Sequence, residues 1–125
     1  MESNIKYDEI NKIIRITTCG EYEHEKAMIQ IIDSFDFARK KKCNRFLVDF
    51  RMFIISHKIF ELYDIIQNGA HFGILKTDLI AFICPSIDKT IYEFCDTVAF
   101  NRGWINHKIF MDFKEGEKWL LSDCN

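Results

Sequence analysis

Two short segments decide what this chain can fold into. RFLVDF (residues 45–50) and DLIAFIC (78–84) carry apolar side chains at consecutive positions rather than alternate ones. A strand of that kind is buried on both faces, and sheets buried on both faces are mostly parallel sheets flanked by helices. The flanks show a helical period. Met28, Ile31, Ile32, Phe35 and Ala38 recur at three and four, which predicts an amphipathic helix from Tyr22 to about Lys41. Ile59, Leu62, Tyr63 and Ile66 predict a second helix, with Ser56 as its N-cap and Gly69 as its stop. Ile91, Phe94, Cys95, Val98 and Ala99 predict a third, closed by Asn101-Arg102-Gly103 with Gly103 in the left-handed conformation.

HKIFM (107–111) is the last strand pattern, and Asp112 with Glu115 has the spacing of a capping box before a short helix carrying Trp119 and Leu120. At the other end, IKY and KIIRITT are β-rich runs separated by the polar DEIN, which reads as an antiparallel hairpin. The order is ββαβαβαβα. It predicts one α/β domain over residues 1–125, with a mostly parallel central sheet, an antiparallel edge strand and helices on both faces.

Composition supports a packed domain and excludes several functions. The chain has 125 residues, 48% of them hydrophobic, with twelve Phe, two Trp and four Tyr, so the core is expected to be aromatic. A formal charge of -2 gives no electrostatic reason to bind nucleic acid or an anionic membrane. The basic RKKK at 39–42 falls where the first helix should end, where cations complement the helix dipole. The five cysteines (Cys19, Cys43, Cys84, Cys95, Cys124) are odd in number and never CxxC. That argues against a metal knuckle or a disulfide framework and for a reducing compartment, so a cytoplasmic location is expected. The longest apolar run, LIAFIC, is too short to cross a bilayer, and no basic start leads into an apolar stretch, so neither membrane insertion nor a signal peptide is expected.

In sheets of this class ligands bind beyond the carboxyl ends of the parallel strands. Those ends carry Asp49, Arg51, Ser56 and His57, then Cys84, Pro85 and Ser86, then Asp112 and Phe113. None completes a catalytic template. There is no GxGxxG or phosphate loop, no HxxxH or HExxH among the four histidines, and no GxSxG elbow. Ser56 and His57 are neighbours, so their side chains diverge rather than pair. Asp49 follows a buried strand, and pairing with Arg51 is its expected fate. No catalytic residue, metal or cofactor is expected.

The ordered set NKIIRITTCGEY, RFLVDFR, FELYD and FNRGWINHKIFMDFKEGEKWL resembles the SpoIIAA-like group of STAS-type, bacterial anti-anti-sigma-like proteins. The resemblance covers nearly the whole chain and implies a STAS-like or CRAL-TRIO-like domain. It also implies a non-enzymatic regulatory role in which the second helix and the segment before it bind a protein partner. Ser56 is the position that matches the serine phosphorylated in that family. Here IISHKIF replaces the family's Asp-Ser-Ser-Gly context.

The expected function is therefore a regulatory or protein-interaction domain. Its partner surface would span residues 51–56 and the following helix, with Asp49, Arg51, Phe53, Ser56, His57 and Phe60 as binding residues and a homodimer as an allied state. The alternative is a binder of a small apolar or lipid-like ligand in a pocket at the carboxyl ends of the strands. Ser56 itself reads first as a helix cap. Ser56→Asp should then hold the denaturation midpoint, while Ser56→Ala lowers stability by about 1 kcal/mol. Equal losses in both would exclude the cap.

Overall fold

The computed structural model describes residues 1–55 and 59–122, without the side chains of Ile59, Phe60, Leu62 and Tyr63. Ser56 and His57 lie outside the described residues, as does the side chain of Phe60. The cap, the phosphorylation site and those three binding positions are therefore not placed.

The expected order of elements is present. Strands β1 (Glu2–Asp8) and β2 (Ile13–Glu21) form the hairpin, followed by α1 (His24–Lys40) and β3 (Arg45–Ile54). Next come α2 (Ile59–Gln67), β4 (Leu79–Ile83), α3 (Lys89–Asn101), β5 (His107–Phe110) and α4 (Phe113–Ser122). The five strands lie side by side in chain order, with β1 antiparallel to β2 and all other neighbours parallel. Both doubly apolar runs are interior strands, and β3 is the middle one.

Because each strand is laid beside the last in one direction, right-handed crossovers bring α1, α2 and α3 to the same face. On that face Phe35 and Ala38 of α1 pack on Ile14, Ile16, Phe46 and Val48, while Ile65 of α2 and Tyr92 of α3 join Phe53 and Cys84. The other face belongs to α4. Its fully buried Leu120 sits on Ile13, Leu47, Ala81 and Ile83, with Phe113 and Trp119 beside it. A mid-helix glycine makes this close approach feasible: a Cβ on Gly116 would come within 2.4 Å of Ile83 Cδ1. Arg15 fastens the arrangement, donating to Asp8 Oδ2 at 2.9 Å in the hairpin and to Glu117 on α4. The Asn11 backbone amide, then its side chain and Arg15, hold the Asp8 carboxyl down at about 2.

Several local expectations change. The buried stripe of α1 runs through Ala27, Ser34, Phe35 and Ala38, and Ile32 faces outward at 47% exposure. In α3 Phe94 is likewise half-exposed, and Tyr92 is the buried aromatic. Gly69 does not stop α2. That helix ends at Gln67, Gly69 opens a 3-10 turn to Phe72, and Gly73 supplies the left-handed residue.

Residues 51–54 are not a loop but the last part of β3. There β3 carries one extra residue against β2: Thr17 faces Asp49 and Cys19 faces Met52. Such a bulge flips the alternation beyond it. Phe46, Val48 and Phe50 face the helices before the bulge, and Phe53 and Ile55 do so after it, leaving Met52 and Ile54 exposed.

The end of α3 matches its expectation in detail. Gly103 has φ +89°, its N–H donates to Phe100 O, and the Trp104 N–H reaches back to Ala99 O, both at 3.0 Å. These are the two bonds of a Schellman motif. Gly103→Val should cost more than about 1 kcal/mol in denaturant unfolding through backbone strain, since a branched side chain is disfavoured at positive φ.

A cavity under the crossover helices

The residues at the carboxyl end of β3 satisfy one another. Arg51 forks onto Asp49, Nε to Oδ1 at 2.9 Å and Nη2 to Oδ2 at 2.7 Å, and the Arg51 N–H adds a bond at 3.1 Å. Burial would raise the Asp49 carboxyl, but the Arg51 bonds prevail and leave it below its ordinary value. The guanidinium lies 5.1 Å from the centre of the Phe113 ring. Phe53, expected in the partner surface, is 4% exposed and packs on Tyr22 and Phe50. Beyond β4, Cys84 is buried, and burial pushes its thiol well up. Strands laid down in sequence order also offer no reversal of direction, the feature that opens a crevice at strand ends.

An apolar opening lies elsewhere. A cavity of about 220 Å³ lies between the helix-bearing face of the sheet and the helices themselves. Its floor is Ile16, Val48, Phe50, Phe82 and Ile109; α1 walls one side and α3 the other, through Tyr92, Cys95 and Ala99. Ile65, Ile66, Gly69 and Trp104 close it. The lining is almost wholly apolar. On α3 only Tyr92 is buried; Cys95 and Ala99 are half-buried where they border the void.

The few polar groups here are mostly spent within the protein. Gln30 donates to Thr18 Oγ1 at 2.7 Å, and Ser34 donates to Gln30 O at 2.7 Å. His107 Nε2 stands 2.7 Å from Asp96 Oδ1, a distance fit for an ion pair but without hydrogen-bond alignment. Asp78, whose side chain is wholly buried, takes Arg39 and the Leu75 N–H (2.8 Å) on Oδ2. Of the groups lining the cavity, Asp78 Oδ1, the Tyr92 hydroxyl and His107 Nε2 have no hydrogen-bond partner among the described residues. Burial pushes the Tyr92 hydroxyl up, and burial followed by Asp96 lifts the Cys95 thiol to about 11. Both stay protonated at neutral pH, so the Cys95 sulfur is a poor nucleophile there.

The lining residues Asp78, Tyr92, Trp104 and His107 were not singled out from the sequence. The one signal for them is weak: a carboxylate directly before a doubly buried strand and a Trp directly after a glycine cap. Among the described residues no group of three or more His, Cys, Asp or Glu is placed to hold a metal, and no helix is long and apolar enough to cross a membrane. No protein-family model matches the chain, and no curated protein matches it.

The Arg39–Asp78 pair ties α1 to the segment leading into β4. Removing one partner leaves a buried charge uncompensated, so Arg39→Ala should cost about 3 kcal/mol. Adding Asp78→Asn to Arg39→Ala should recover part of that loss in denaturant melts. Simple additivity of the two changes would show that they are not coupled.

Proposed function

We propose that the protein is a non-enzymatic binding domain whose ligand is a small, largely apolar molecule held between the sheet and the crossover helices. The observation that carries this reading is the apolar cavity itself. At about 220 Å³ it exceeds the roughly 150 Å³ that holds a benzene in an engineered core. A fused aromatic ring system or a short acyl chain fits that space; an entire phospholipid does not. Closely packed interiors keep few voids larger than a water molecule. The aromatic floor and walls suit such a ligand, and the polar groups that remain fix orientation rather than perform chemistry.

A second reading, a docking domain for a regulatory protein of the anti-anti-sigma kind, draws on a different place. Met52 and Ile54, 71% and 54% exposed, form an apolar patch at the tip of β2 and β3. It overlaps the expected surface at residues 52 and 54 and lacks Phe53, which is buried. Neither residue borders the cavity, so substitutions there separate the two readings.

The test is uptake of 1-aminoanthracene by the folded protein, followed by its fluorescence, with native mass spectrometry of detergent-free material for carried-over ligand. Saturable one-to-one binding is expected. Ala99→Phe, which fills the cavity from α3, should weaken it by about tenfold, or 1.4 kcal/mol, without lowering the melting temperature. Binding that is absent in the wild type, or unchanged in Ala99→Phe, removes the cavity reading.

A further inference from the structure

We propose that the edge of the fold formed by residues 74–77 and 100–106 is a docking rim for an anionic bilayer surface, from which the cavity takes its ligand. The second half of this statement rests on the cavity reading above; the docking does not.

The two segments are far apart in sequence and stitched together in space. Lys76 Nζ donates to Arg102 O at 3.4 Å and lies 5.5 Å from the centre of the Trp104 ring, while Asn106 Nδ2 donates to Lys76 O at 2.7 Å. Leu75, Lys76, Trp104 and Asn106 also border the cavity, so this edge is where its lining reaches the surface. Leu75, Phe100 and Ile105 stand out from it, 51%, 62% and 63% exposed. Large apolar side chains clustered beside an opening mark an interaction site rather than ordinary surface.

The charge pattern points to one occupant. ILKT (74–77) and FNRGWIN (100–106) contain two cations and no acid, in a chain where acids outnumber bases 19 to 17. Asp78, next to the first segment, is buried against Arg39, and Asp96 on α3 sits beside His107 with its side chain 43% exposed. A tryptophan, exposed aliphatic and aromatic side chains and a basic pair is the combination that settles at the headgroup level of anionic membranes. A protein partner would have no need of a cavity opening beneath it, whereas an apolar ligand partitions into a bilayer and is scarce in water. Since no described helix is fit to cross a membrane, the contact is peripheral. The net charge of -2 opposes an anionic surface, so the contact depends on the local basic pair and is weak and salt-sensitive.

The experiment is flotation of the full chain with vesicles of phosphatidylcholine alone or containing about one-third phosphatidylglycerol, at low and physiological salt. The wild type should float with the anionic vesicles at low salt, and its tryptophan emission should shift to the blue. Phe100→Glu/Ile105→Glu alters two exposed residues that do not border the cavity. It should reduce the floated fraction by about tenfold while leaving 1-aminoanthracene binding and the melting temperature unchanged. Phe100→Ser/Ile105→Ser serves as the uncharged control and should also lose vesicle binding. Ala99→Phe should still float, so a failed probe assay with intact flotation removes the cavity reading and leaves the rim standing. No flotation by the wild type, or undiminished flotation by the double variants, overturns the rim. So does a wild-type dimer that ignores vesicles and becomes monomeric in the double variants, because a second copy then covers this edge.

Discussion

Right-handed crossovers between parallel strands laid down in sequence order put every connecting helix on the same side of the sheet. Much of this molecule follows from that constraint. Each crossover advances by one strand, about 4.8 Å, yet packed helices need about 8–10 Å between axes. Three helices over β2 to β5 therefore cannot lie in one layer on the strands beneath them. α2 packs against α3 and sends Ile65 to Phe53 and Cys84, while α1 meets the segment after α2 at the 3-10 turn. The space between α1, α3 and the sheet is the cavity.

The same constraint leaves the opposite face bare until the chain returns. α4 covers β3, β4 and β5 there, with Leu120 at 0% exposure and Gly116 allowing close contact with the sheet. Arg15 reaches Glu117 and binds the hairpin to that helix. The face over β1 and the tip of β3 stays open, and Met52 and Ile54 are exposed there. The bulge in β3 determines which residues these are. Without the extra residue, Met52 would turn inward and Phe53 would be presented to solvent.

Periodicity exposed the element order because helix and strand repeats differ sharply, and the Asn-Arg-Gly turn was legible because only glycine tolerates the left-handed position easily. The bulge was not legible. In Phe50-Arg51-Met52-Phe53-Ile54 apolar residues occupy both parities, so alternation cannot reveal a slip of one. The cavity was equally hidden, since Ile91, Cys95, Val98 and Ala99 have the spacing of a core stripe whether they meet side chains or a void. Asp78 and Arg39 are 39 positions apart, and nothing local announces their pairing. Asp49 and Arg51, two apart on one strand face, could be paired on paper.

A void of this size is costly. Apolar lining that meets no partner atoms forfeits packing contacts, so about 220 Å³ of unfilled space works against stability. Whole domains are stable by only about 5–15 kcal/mol. One larger residue on α3 at Ala99 would fill part of the gap, and the sequence keeps alanine there and a small thiol at Cys95. Local choices that work against stability tend to fall where function requires them. A ligand that fills the cavity restores the lost contacts and raises the stability of the folded state by mass action, so occupancy and folding are linked. α3 is the element placed to respond, with its inner wall on the cavity and its C-terminal turn at the Lys76–Trp104 edge.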